Sequence, residues 1–319
     1  MQPILLSPAF KDYLWGGTKL KTSFGKKSDL AIVAESWELS THKDGQSQVA
    51  SGPDTGLTLS DYIQKHGKTI LGKHAEAFDY FPILIKFIDA KDNLSVQVHP
   101  DDAYALKHEG EYGKTEMWYV LEAEEGASLY CGFKTSISRE EFQRRIEDNT
   151  LLEVLNQVNV HKGDVFFIKS GTVHAIGKGI VICEIQQNSN TTYRVYDYDR
   201  RDAQGNPRPL HIQKALEVAE LCPPAQIGND TPPKNCGGYT VKQLASCQYF
   251  TVEKLDIASS ATLQISKESF QSIICTEGEG SLTLDGNALR FQKGDSIFIP
   301  AQETSYSITG ACEIIRFYV

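Results

Sequence analysis

The chain has 319 residues, 40 % of them hydrophobic and 23 % charged, with a formal net charge of -9. This is the composition of a globular protein with room for one large or two ordinary domains, and its acidic excess excludes a phosphate-tracking nucleic-acid surface. Seven cysteines without a C-x-x-C pair point to reduced thiols in a cytoplasmic setting. Neither a basic leader nor a run approaching about 18 apolar residues is found, so export and membrane spans are not expected.

In chain order, "TLSDYIQKHGKTIL" (58–71) repeats its apolar residues every three or four positions and predicts a helix. The β-rich runs "PILIKFID" (82–89), "NLSVQVH" (93–99), "EMWYVLE" (116–122) and "SLYCGF" (128–133) follow, separated by turn residues. A second helical pattern covers 138–157, "SREEFQRRIEDNTLLEVLNQ". Strands are then expected at "DVFFIKS" (164–170), "IVICEIQQ" (180–187) and "TTYRVYDY" (191–198), and a third helix within 209–221. Residues 221–238 are rich in Pro, Gly, Asn and Asp and read as an exposed connector, after which strands resume from about Thr240 to the end. The sum is a mainly β chain of sandwiches or barrels with a few peripheral helices.

Two segments across the connector match. "GDVFFIKSGTVH" (163–174) and "GDSIFIPAQETS" (294–305) share a Gly-Asp turn, an apolar run and a second turn in one register, which an internal duplication explains. The copies differ in chemistry: His174 aligns with Ser305, and upstream Glu116 aligns with Phe270. We therefore divide the chain into an N-terminal domain, 1–221, a connector, 222–238, and a degenerate C-terminal copy, 239–319.

Within "LSVQVHPDD" (94–102) alternation places Leu94, Val96 and Val98 on one strand face and Ser95, Gln97 and His99 on the other. Gln97, His99, Glu116 and His174 together offer two imidazoles, a carboxylate and an amide, a donor set suited to zinc. Three strong ligands and a weak fourth leave room for water or substrate, the mark of a catalytic site. Taken singly, each histidine is an ordinary structural residue, and the weight rests on the combination. Lys86 interrupts an apolar strand, where an unpaired ammonium is costly, so it should meet an anion or reach solvent.

"YLWGGTKL", "ESWELSTH", "LSVQVHPDD", "GKTEMWYV", "SGTVHAIG" and "QQNSNTTYRVYDYDR" resemble the short bacterial form of the type I mannose-6-phosphate isomerases, of the cupin superfamily, over nearly the whole chain. The resemblance implies two cupin-type β-barrel or jelly-roll domains. It also implies one Zn2+ per chain, held in the N-terminal cupin by Gln97, His99, Glu116 and His174, with Arg194 as the active-site arginine. Lys114 matches the lysine of the family's K-P-E motif, although Thr115 stands where the family has proline; Lys169 likewise replaces a proline before S-G-x-x-H.

The implied reaction moves a carbonyl between C1 and C2 of a hexose 6-phosphate through an enediol or enediolate, linking mannose 6-phosphate and fructose 6-phosphate. Arg194 suits a phosphate or the developing enediolate, unless Asp197 or Asp199 pairs with it. Lys86, Lys114 and Ser95 are candidates for binding substrate. Glu184 is a candidate base, its carboxyl tuned upward by desolvation, or else a carboxylate that orients a ligand histidine. Trp15, Trp37 and Trp118 wall the sugar pocket or fill the core. Competing readings are a non-catalytic sugar-phosphate-binding cupin, an isomerase for glucose 6-phosphate and an iron-dependent oxygenase. Neither a nucleic acid nor a membrane is expected as a partner, and the oligomer is open between monomer and homodimer.

Overall fold

The computed structural model describes residues 1–201, 204–225 and 231–319. The protein is mainly β. A six-stranded sheet runs in the order 165–168, 116–123, 180–187, 83–90, 35–39, 9–11, and a five-stranded sheet in the order 193–196, 96–98, 174–175, 128–133, 155–159. The two sheets face each other across Ile88, Trp118, Val120 and Ile182 from the first, and Leu129, Cys131 and Ile176 at the second. Strands 83–90 and 180–187 are buried on both faces, which is why they read as nearly continuous apolar runs. The far side of the six-stranded sheet, through Met117, Tyr119 and Leu121, packs on Phe250, Phe270, Phe298 and Phe317 of the C-terminal part.

The remaining strands form a ten-stranded sheet. It includes Ile4–Ser7, paired antiparallel with Ser296–Ile299, so the first strand of the chain is stitched into the sheet of the last third. Of the expected connector, residues 226–230 lie outside the described residues, and Lys234–Asn235 form a short strand against 240–241.

Three departures of local structure from the sequence reading bear on the N-terminal sheets. The helical pattern at 138–157 is helical only over Arg139–Glu147, passes through a short 3-10 turn and ends as the strand Leu155–Asn159. Asn149, at positive φ, closes the helix, and burial of Leu155 in a sheet outweighs the helical spacing. A helix not expected from the pattern, Asp102–His108, is started by Asp101, whose side chain accepts from Tyr104 N. Leu94 does not share the face of Val96 and Val98: the strand begins at Val96, and Leu94 packs between the sheets while the two valines pack outward near Phe133, Phe142 and Ala215.

Candidate metal centre and active site

Alternation within the strand Val96–Val98 turns Gln97 inward, and His174 stands directly across from it in the neighbouring strand. Glu116 begins the strand 116–123 of the facing sheet, and His99 follows the first strand immediately before Pro100. The four side chains converge. His174 Nε2 lies 3.4 Å from one Glu116 oxygen and His99 Nε2 lies 3.7 Å from the other. Gln97 Nε2 is 3.3 Å from His174 Nε2 and 3.5 Å from His99 Nε2. Neighbouring ligand atoms around a tetrahedral zinc stand roughly 3.4 Å apart, and those of His99, Glu116 and His174 all lie within 4.8 Å of one another, close to the dimensions of a single-ion site; Gln97 would join through its amide oxygen.

Both histidines are fixed from behind. His99 Nδ1 donates to the Thr191 carbonyl and His174 Nδ1 to the Thr172 carbonyl, each at 2.9 Å, which leaves both Nε2 lone pairs facing inward. Burial pushes His174 down to about 4 and His99 well below its ordinary value, so both are neutral and able to ligate. Glu116 is fully buried, and burial pushes its carboxyl up to about 8 although the Lys114 ammonium lies 2.8 Å from Oε2; its Oε1 has no hydrogen-bond partner and faces His174 Nε2. A buried carboxylate oxygen without a donor is costly, and a metal ion between Oε1 and the two imidazole lone pairs would answer it.

A cavity of about 280 Å³ opens beside the cluster, lined by Gln97, Lys114, Glu184, Lys86, Glu35, Ser95 and Arg194 among others. Lys114 Nζ lies 3.2 Å from His99 Nε2 and 3.9 Å from Glu184. Lys86 sits between Glu35 at 3.6 Å and Glu184 at 3.4 Å, over the Trp37 ring. Burial alone would lower its ammonium, but the two carboxylates outweigh burial and hold it charged. Glu184 does not contact either histidine. It accepts from Trp118 Nε1 at 3.0 Å, and although burial raises its carboxyl, Lys114 and Lys86 shift the net balance below the usual carboxylate range, against the upward tuning expected of a base.

Arg194 and Ser95 lie farther along the same wall. Arg194 Nε donates to Ser95 Oγ at 3.3 Å and its terminal nitrogen to the Pro209 carbonyl at 3.2 Å. Among the described residues no carboxylate lies within ion-pair distance of it: Asp197 is taken by Arg200 and Arg208, and Asp199 by Arg201. Of the tryptophans, Trp15 lines the cavity, Trp37 is buried and donates to Glu35 at 2.7 Å, and Trp118 packs its edge on His174.

Sequence reasoning missed Glu35, Asn190 and Arg208, all of which line the cavity. Glu35 had a signal, a carboxylate in strand alternation with Trp37 in "ESWEL"; Asn190 and Arg208 sit in loops where no periodicity marks them.

A family profile described as the catalytic domain of type I phosphomannose isomerase matches residues 4–133, and one described as the cupin domain of mannose-6-phosphate isomerase matches residues 240–319. The chain is 40 % identical over 315 residues to the mannose-6-phosphate isomerase ManA of Bacillus subtilis, covering 98 % of each. It is similar to the crystal structure of the mannose 6-phosphate isomerase from Bacillus subtilis, with a TM-score of 0.92 and 37 % identity over 100 % of both chains. A mannose 6-phosphate isomerase solved with zinc bound shares the fold at a TM-score of 0.79 and 18 % identity, over 100 % of this chain and 99 % of that one.

Proposed function

The chain belongs to the type I phosphomannose isomerases, a family of aldose-ketose isomerases, and from that premise we propose that it interconverts mannose 6-phosphate and fructose 6-phosphate at one zinc site in its N-terminal half. The observation that carries this reading is the buried convergence of the Glu116 carboxylate, one of its oxygens unpartnered, with two neutral imidazoles. Gln97, His99, Glu116 and His174 would hold the ion. When bound, zinc supplies Lewis-acid stabilisation at substrate oxygens or an activated water.

The chain's own residues then divide the work. Lys86 and Lys114 are already matched by Glu35, Glu184 and Glu116, which suits them to neutral sugar oxygens and to charge that develops during turnover. Arg194 keeps an uncommitted charge beside Ser95 and is assigned the phosphate or the enediolate. Glu184, ionised between two lysines at the cavity wall, takes the proton from the carbon beside the carbonyl and returns it to the former carbonyl carbon, while Lys114 stabilises the oxygen that gains charge in between. The seven unpaired thiols suit a reducing cytoplasm. No helix among the described residues is long and apolar enough to cross a membrane.

The test is conversion of mannose 6-phosphate to fructose 6-phosphate before and after chelation, with zinc added back, and glucose 6-phosphate assayed in parallel. Activity lost on chelation and restored by zinc is the expected result. A folded, zinc-loaded protein that converts no hexose phosphate overturns it.

A further inference from the structure

The segment that delivers Lys114 and Glu116 to the site is held at three successive backbone N–H groups. Gly113 N donates to Asp102 Oδ1 at 2.8 Å, Lys114 N to the Pro100 carbonyl at 3.0 Å, and Thr115 N to Gln187 Oε1 at 2.9 Å. Gln187 closes the loop in both directions: its own N–H donates to the Thr115 carbonyl at 3.1 Å, and its Nε2 donates to the same Asp102 Oδ1 at 2.8 Å. Glycine at 113 is required here, because a Cβ would stand 2.4 Å from the Asp101 backbone.

The other oxygen of Asp102 reaches out of this half of the molecule. It accepts from Tyr249 OH at 2.7 Å, and Tyr249 lies in the turn between strands Tyr239–Ser246 and Thr251–Ile257 of the C-terminal part. We infer that Tyr249 is a positioning residue for the isomerase site, acting through Asp102 and Gln187 to fix the Lys114-Thr115-Glu116 segment. The inference rests on the isomerase reading above. It also gives Thr115 a role: a proline there would stiffen the backbone but has no N–H, whereas threonine leaves a donor that Gln187 and Asp102 lock from outside. The "HPDD" stretch is thereby accounted for beyond its histidine, since Pro100 and Asp102 each anchor one N–H of the segment.

Tyr249→Phe removes one hydroxyl and keeps the ring. The expected result is a kcat lower by about fivefold, the worth of one hydrogen bond, with KM within about twofold. Amide exchange at residues 113–116 of the zinc-free protein should be faster, with exchange in strand Val165–Ile168 unchanged. Gln187→Met, which breaks the same relay nearer the site, should cost more, and the double variant should lose no more than Gln187→Met alone. Unchanged kcat in Tyr249→Phe, a rise in KM instead of a fall in kcat, or additive losses would overturn the role, as would wild-type exchange rates at 113–116. A folded wild-type chain without isomerase activity would instead overturn the functional reading, and the exchange data alone would then decide whether Tyr249 orders the segment.

Discussion

The two copies of the β motif use one backbone for opposite ends. Each has its Gly-Asp turn, with Gly163 and Gly294 at φ of 92° and 93° and with Asp164 and Asp295 each accepting from the N–H three residues earlier. Strand pairing sets the equivalences: Ile168 faces Glu116 where Ile299 faces Gln271, and His174 faces Gln97 where Ser305 faces Gln264. The counterpart of Glu116 is therefore Gln271, and the alignment with Phe270 from sequence is one residue out of register. In the second copy Gln271 is satisfied internally, accepting from Tyr306 OH at 2.6 Å and donating to the Gln264 carbonyl at 2.9 Å, and the buried Tyr306 joins the local core. In the first copy the same strand position holds a carboxylate with Lys114 at one oxygen and no partner at the other. A buried polar group that is satisfied braces a fold, and one left open in an otherwise well-paired interior marks a place meant for a ligand.

The largest effect should come from making the first copy resemble the second. Glu116→Gln removes the only anionic ligand, and we expect zinc content to fall below one per chain and turnover to drop by more than about 100-fold, read by metal analysis and the hexose-phosphate assay. A variant that keeps full zinc and activity would show that the open carboxylate is not a ligand. Arg194→Ala should come next: zinc and fold retained, turnover lower by about 100-fold. Its guanidinium has only neutral partners among the described residues, so little structure depends on it.

The convergence of Gln97, His99, Glu116 and His174 is legible in the sequence because strand alternation constrains Gln97 and the repeated Gly-Asp register isolates His174 as the departure between copies. What surrounds it is less so. The direction of the Glu184 shift depends on two lysines that reach it from elsewhere in the chain, Lys86 on strand 83–90 and Lys114 in the loop before strand 116–123, and no local pattern announces that pairing. The one-residue error at Phe270 has a plain cause: strands 116–123 and 271–284 are buried on both faces near their starts, so alternation gives no register and only the hydrogen-bond ladder does. Leu155 was similarly hidden, since a helical spacing runs into a strand without a break in apolar period.

The converse substitution, Gln271→Glu, tests the second copy. The new carboxylate would sit 8 % exposed beside the Tyr306 hydroxyl, and the cation that interacts with Tyr306, Arg316, is already paired with Glu253. It should bind no zinc, leave turnover unchanged and lower stability by about 2 kcal/mol, measured by urea unfolding. Added zinc uptake would mean that the degenerate copy needs only its carboxylate back.

A smaller effect separates the two halves by pH. Burial would raise the Asp197 carboxyl, but hydrogen bonds from Arg208 and Arg200 outweigh it and hold the group below its usual range. A carboxyl with a depressed folded-state pKa contributes stability that is complete above its unfolded value, about 3.9, and is lost as pH falls through the folded value. Asp197→Asn should therefore cost on the order of 1 kcal/mol at pH 6, and the gap from wild type should close in stronger acid, below about pH 3.9. The three tryptophans, Trp15, Trp37 and Trp118, all lie in the N-terminal half, so their fluorescence during urea unfolding reports the half that carries Asp197. A gap that stays constant as the pH falls would show that the arginines are held by their backbone acceptors, such as the Asn93 carbonyl for Arg200, and that the charge on Asp197 contributes little to the rim of the site.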